Sequence, residues 1–233
     1  MIEGHDRREA TVTSYALTHD IAVFADRADA GRQLGAHLRE RRWDSPVVLG
    51  LPRGGVVVAA EVARALRATL DVVVVRKIGA PGRPELGLGA VADGDEPLAL
   101  VNDDLIASLQ VSGEHLRDET ARQLMEVRRR QSLLRQGRRA IDLRDRTAIV
   151  VDDGIATGGS MRAALRMVRR ASPQKIVLAV PVAPPETLAE LAPDADELMC
   201  LVTPPDFVTV GRFYWDFRQT TDDDVIALLA EQS

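Results

Sequence analysis

Residues 149–160 read IVVDDGIATGGS. An apolar run ends in two adjacent carboxylates, Asp152 and Asp153. The chain then passes Gly154, Thr157, Gly158 and Gly159 and reaches Ser160, where a helical stretch begins. Glycines let the backbone turn tightly and bring successive N–H groups toward one point, and the hydroxyls add donors beside a helix N-terminus. A monophosphate fits such a nest. Asp152 and Asp153 lie too near a phosphate to face it, so they face sugar hydroxyls, a divalent metal, or both. A sugar phosphate offers all of these at once.

Working outward, similar apolar runs recur: PVVLGL (46–51), DVVVVRKI (71–78), TAIVVDD (147–153), KIVLAVPV (175–182) and ELMCLV (197–202). Their apolarity is continuous rather than alternating, which predicts strands covered on both faces, as in a parallel sheet. Helical stretches separate them at 55–68, 160–171 and 184–192, the last with prolines where a helix can start. Alternating strands and helices predict an α/β fold with a mainly parallel sheet flanked by helices. Residues 26–43 form a further helix with an apolar stripe, near which His37 is a packed or partly exposed histidine. Residues 113–139 are longer and more polar, with a narrow apolar face through Leu116, Ala121, Leu124, Val127, Leu133 and Leu134. This predicts a long accessory helix over the core or in a dimer contact. Its arginine clusters at 128–130 and 135–139 read most simply as a solvated face, with substrate phosphate as the other reading. The glycine-rich stretch 79–94 reads as an irregular loop followed by a short strand.

The 233 residues predict one large domain, 19–233, with an accessory helical segment at 102–139 and a loose arm at 1–18. A net charge of -5 speaks against a general nucleic-acid binder. No apolar stretch reaches membrane-span length, and the first residues lack the apolar core of a secretory signal, so the expected setting is cytoplasmic. Cys200, the single cysteine, reads as a buried strand thiol.

In open parallel sheets ligands bind at the carboxyl ends of the strands. Three strand ends carry unusual chemistry: LPRGG (51–55), VRKIGAPG (75–82) and VDDGIATGGS (151–160). Several other chemistries are disfavoured. The loop ends in GGS rather than the lysine-serine/threonine of a Walker loop, and GLGAVADG has the wrong spacing for a dinucleotide fingerprint. No glycine-x-serine-x-glycine elbow is present, and one cysteine with four scattered histidines makes no credible zinc site.

AIVVDDGIATGGSM resembles the phosphoribosyl-pyrophosphate signature of type I phosphoribosyltransferases. The combination of GLPRGGVVVA, ELGLGAVADG and VDDGIATGG is similar to a group of bacterial phosphoribosyltransferases whose acceptor is not evident. The resemblance implies a Mg²⁺-dependent transferase that uses phosphoribosyl pyrophosphate. It assigns Asp152 and Asp153 to the ribose hydroxyls, directly or through the metal. It assigns Ala156, Thr157, Gly158, Gly159 and Ser160 to the 5-phosphate, and Arg53, Gly54 and Gly55 to pyrophosphate. Arg76 and Lys77 occupy the place of basic residues that face pyrophosphate in similar enzymes, and Arg83 and Glu85 that of a closing loop. For the acceptor, a nitrogen compound and most simply a nucleobase, the resemblance implies a hood, here 203–217, with Phe213, Tyr214 or Trp215 as stacking surfaces. The partners implied are two small molecules, with no nucleic acid or membrane. Similar proteins commonly dimerise. The competing reading is a non-catalytic regulatory protein that senses phosphoribosyl pyrophosphate or a nucleotide.

Overall fold

The computed structural model describes residues 12–15, 23–92 and 98–231, with side chains described for 23–83, 86–92 and 98–231. The chain runs β1 (Val12–Tyr15), α1 (Arg27–Leu38), β2 (Val47–Gly50), α2 (Gly54–Leu66), β3 (Thr69–Val72), β4 (Val75–Ala80), β5 (Arg83–Ala92) and β6 (Leu98–Val101). It continues through α3 (Asp103–Ser108), α4 (Gly113–Arg135), β7 (Thr147–Val151), α5 (Gly159–Arg170), β8 (Lys175–Val182), α6 (Pro185–Leu191), β9 (Glu197–Val202) and α7 (Asp222–Glu231). Most of the arm read at 1–18 lies outside the described residues. Its residues 12–15 pair with β9 as an edge strand.

The main sheet has the order β1-β9-β8-β7-β2-β3, and every pairing in it is parallel. The continuous apolarity of its strands has the expected cause. Ile149 and Val151 of β7 belong to the core under α1, α2, α4 and α7, whereas Ala148 and Val150 belong to the core under α5 and α6. Successive side chains alternate faces, and both faces are dry.

Two readings of the sequence change. The run 71–78 is not one strand: β3 ends at Val72 as the edge of the main sheet, and β4 starts at Val75 in a second sheet, β4-β5-β6. Val73 and Val74 are buried at the bend, so apolarity continues through a change of direction that hydropathy cannot register. The stretch 79–94 is also not chiefly a loop. Its described part forms the antiparallel pair β4–β5, with irregular pairing confined to the region of Gly79 and Ala80. Its glycines reflect close approach rather than looseness, since a Cβ on Gly89 would lie 2.0 Å from the Leu100 carbonyl oxygen across the sheet.

Helix packing decides what gathers at the top of the main sheet. Gly31 of α1 lies against Val58 of α2, and Gly35 against Val62 and Ala65, so the two helices run parallel at close range. Helix α7 follows the same direction, with Asp222 near Arg53 and Glu231 paired with Arg64. Three helix N-termini therefore meet at the end where β2 and β7 release their loops.

Helix α4 covers the sheets through Val127 and Leu134, both fully buried, while Leu133 is 39% exposed. Its arginines are more engaged than a solvated face would be. The Arg135 guanidinium donates to both oxygens of Asp71, at 2.9 and 3.2 Å, and to the Val72 carbonyl. The helix stops at Arg135, short of the residue 139 expected, and Arg138 beyond it donates to the Leu229 carbonyl. No helix among the described residues is long and apolar enough to cross a membrane. His37 is half-buried, with Nδ1 2.9 Å from the Gln33 carbonyl oxygen. Cys200 is fully buried, and burial pushes its thiol up to about 12, out of reach of thiolate chemistry.

Candidate active site

The strand order places the site. From β2 the chain steps to β3 on one side and later returns to β7 on the other, so β2 and β7 flank the point where the winding reverses. That crevice is where an open parallel sheet takes its ligand. The loop after β2 carries Arg53, Gly54 and Gly55, and the loop after β7 carries Asp152 and Asp153. The two loops touch. A Cβ on Gly54 would lie 2.0 Å from Asp153 Oδ2, and one on Gly55 would lie 2.6 Å from Asp152 Oδ1. Only glycine lets the start of α2 approach the carboxylates this closely. The Pro52–Arg53 peptide between strand and helix is cis.

Asp152 accepts the Asp153 amide at 2.8 Å. Burial, and then the neighbouring Asp153 charge, hold the Asp152 carboxyl well above the usual carboxylate range. Asp153 has a partner that sequence reasoning missed: Arg27, whose Nε donates to Oδ2 at 2.6 Å. The Arg27 Nη1 donates to the Arg218 carbonyl at 2.7 Å, and its guanidinium lies 3.7 Å from the centroid of the Phe217 ring. Nothing local marks Arg27, because it opens α1 as an ordinary first-turn residue and its partner is 126 positions away.

The loop from Ala156 to Ser160 is anchored from below. The Thr187 hydroxyl of α6 donates to the Ala156 carbonyl at 2.8 Å, and the Ile155 amide donates to the Val182 carbonyl. Gly158 takes φ +72°, and a Cβ there would meet Thr187 and Leu191 at 3.0 and 3.4 Å. Both the left-handed backbone and the close contact select glycine. Ala156, Thr157 and Gly159 are exposed, and α5 opens at Gly159 without a side-chain cap. Its first amides are therefore offered outward, as an anion nest requires.

The remaining sequence-predicted residues divide. Arg53 is near the loops and reaches toward Asp222, with Nη1 3.9 Å from Oδ1. Asp222 also accepts from Arg130 Nη2 at 2.9 Å. The Arg130 Nε is enclosed without a partner among the described residues. Arg76 and Lys77 have different surroundings. Adjacent strand residues face opposite sides; Arg76 Nε donates to Gln123 of α4 at 3.1 Å, while Lys77 is exposed. Arg83 is exposed on the hairpin, and the Glu85 side chain lies outside the described residues.

Tyr214 is corrected as a stacking surface. It is 5% exposed, packs on Phe24 and Phe217, and donates its hydroxyl to the Asp153 carbonyl. It supports the acid loop from beneath. Phe207 and Phe213 are half-buried and stacked with centroids 5.9 Å apart, and Trp215 is 76% exposed. The hood rests directly on the acid loop, since Val210 lies where a Cβ on Gly154 would go.

No group of three or more His, Cys, Asp or Glu side chains among the described residues could hold a metal. Two carboxylates, one already bound to arginine, suit a Mg²⁺ held chiefly by substrate oxygens and water rather than a cage of protein ligands. A cavity of about 890 Å³ lies elsewhere, lined by Leu49, Asp71, Arg135, Leu143 and Met167 among others. It holds none of the loop residues described above.

Rv0571c of Mycobacterium tuberculosis, provisionally named a phosphoribosyl transferase, is 46% identical over 207 residues. The match takes in 89% of this chain but 46% of the relative, so the chain spans about half the length of the curated relatives it matches. The crystal structure of TT1426 from Thermus thermophilus superposes with a TM-score of 0.77 at 46% identity, covering 90% of this chain and 99% of that one. The profile of the phosphoribosyl transferase domain matches residues 24–218, from the strand-like bridge at Phe24 to the arginine that seats Arg27, and the chain belongs to that family.

Proposed function

We propose that the chain transfers the 5-phosphoribosyl group of phosphoribosyl pyrophosphate to a nitrogen acceptor, most simply a nucleobase, and releases pyrophosphate. One observation carries the reading: the glycines after β2 abut the carboxylates after β7 at the reversal point of the sheet. A ligand with a phosphate at one end, a ribose in the middle and a diphosphate at the other matches that sequence of groups.

In this reading the amides and hydroxyls of Ala156–Ser160 bind the 5-phosphate, and Asp152 and Asp153 hold the ribose hydroxyls. The amides of Gly54 and Gly55 and the Arg53 guanidinium receive the diphosphate. Lys77 is an exposed cation on the neighbouring hairpin, as is Arg83, while Arg76 is tied back to α4. As the bond from C1 to the diphosphate breaks, positive charge develops on the ribose and negative charge on the leaving group. Carboxylates beside the ring and donors beside the diphosphate stabilise both. Mg²⁺, when bound with the donor, neutralises diphosphate charge. The nitrogen acceptor then attacks C1 from the opposite face, without a covalent protein intermediate.

The site supplies no stacking role for Tyr214. Phe207, Phe213 and Trp215 remain the hood residues from which an acceptor surface can be built. A cytoplasmic setting and a homodimer belong to the same proposal.

The test is pyrophosphate release with phosphoribosyl pyrophosphate, Mg²⁺ and a panel of bases. Release with one base, abolished by the double substitution Asp152→Asn and Asp153→Asn, is expected. Tight donor binding without turnover for any base would contradict catalysis and favour the sensing role.

A further inference from the structure

Two adjacent carboxylates beside an anion-binding loop need a compensating cation, and the structure provides one. Arg27 and Asp153 are 11% and 16% exposed and 2.6 Å apart. At such burial the desolvation of both groups offsets much of their attraction, so the pair is a poor source of net stability. Its geometric consequence is clearer. The Arg27 Nε takes Oδ2 and leaves Oδ1 as the Asp153 oxygen without a hydrogen bond to Arg27.

Arg27 is itself held by the last residue of the hood and the residue after it. The Phe217 ring lies under the guanidinium, and the Arg218 carbonyl takes Nη1. Tyr214, three residues before Phe217, packs on that ring and fixes the Asp153 backbone carbonyl through its hydroxyl. Asp153 is therefore held twice from residues 214–218, at its main chain directly and at its side chain through Arg27.

We propose that Arg27 is a positioning residue for the donor: it orients Asp153 toward the ribose, and Phe217 with the Arg218 carbonyl sets where Arg27 sits. This rests on the donor reading given under Proposed function. It also makes the hood a determinant of donor affinity as well as a candidate acceptor wall.

The test is calorimetric titration of phosphoribosyl pyrophosphate with Mg²⁺ into the wild-type chain, Arg27→Gln, Arg27→Lys and Phe217→Leu, with thermal melting of each. The loss of an outer-shell partner of a metal-ligating group typically costs about 10–100-fold in metal affinity or activity, and a loss of that order in donor affinity is expected for Arg27→Gln. Arg27→Lys restores part of it, because the charge returns without the guanidinium fork. Phe217→Leu weakens donor binding by roughly 2–5-fold, the lower range for a cation–π contact, since Phe217 is 37% exposed. Unchanged or tighter donor binding in Arg27→Gln and Phe217→Leu, with wild-type binding intact, would overturn the inference alone. A fall in affinity that tracks melting temperature, with no rescue by lysine, would reduce Arg27 to a structural residue and also overturn it. Failure of the wild-type chain to bind the donor would overturn the donor reading and this inference together.

Discussion

Gly55 and Gly159 are both glycines at the start of a helix beside the site, yet their surroundings differ. A Cβ on Gly55 would sit 2.6 Å from Asp152 Oδ1 and 2.8 Å from the Asp152 Cα, so backbone must move to admit it. A Cβ on Gly159 would meet nothing within 4 Å. Gly55→Ala is expected to lose about 1–3 kcal/mol of stability, as overpacked sites do, and to weaken donor binding. Gly159→Ala is expected to hold or gain stability, by up to about 1 kcal/mol, because alanine orders a helix better. Denaturant unfolding of the two variants checks the contrast. Asp152 gives a second residue-scale prediction. Its raised carboxyl pKa means that, as pH rises, the unfolded chain releases this proton before the folded chain does. The folded state then binds more protons, and stability falls with rising pH between the ordinary carboxylate value and the raised one. Asp152→Asn removes that titration. Its melting temperature should match wild type below about pH 4, rise above it with pH, and hold a constant excess once the raised value is passed. An offset constant across pH would contradict the assignment. The acids and the glycine loop were legible in IVVDDGIATGGS, because the chemistry is contiguous there. Arg27 was not, because the contact that gives it meaning is set by the parallel packing of α1 on α2.

At the scale of elements, α4 illustrates what hydropathy does and does not carry. Its start and narrow apolar face follow from the pattern, while its end at Arg135 falls short of 139, and Val127 and Leu134 are the buried residues of that face. Its arginine clusters look alike in sequence, yet Arg135 is locked to Asp71 whereas Arg129 makes only a surface pair with Glu126. Asp71 is 5% exposed and also accepts the Val72 and Ile141 amides. Removing its guanidinium leaves a buried carboxylate with backbone donors alone. Arg135→Gln is expected to cost about 3–5 kcal/mol, the range for breaking a buried pair. Arg129→Gln should cost less than about 1 kcal/mol. Similar losses in thermal unfolding for both would show that Arg135 does not anchor α4. The second sheet was missed for a related reason. The run from Asp71 to Ile78 stays apolar through the bend between β3 and β4, and the glycines of β5 look like loop residues until the strand beside them is known.

At the scale of the molecule, the parallel α/β architecture was readable because β2, β7, β8 and β9 of the main sheet are buried on both faces. Neither the strand order nor the place where the winding reverses can be read from hydropathy. The reversal point gives the separate motifs their common purpose by bringing the end of β2 against the end of β7. Parallel packing of α1, α2 and α7 then brings Arg27, Arg53 and Asp222 to the same end. The most direct test is a crystal structure of the chain with phosphoribosyl pyrophosphate and Mg²⁺. The account predicts the 5-phosphate on the amides of 157–160, the ribose hydroxyls on Asp152 and Asp153, and the diphosphate against Gly54 and Gly55. Donor bound in the cavity beside Asp71 and Arg135, or between β2 and β7 without contact to either carboxylate, would contradict it.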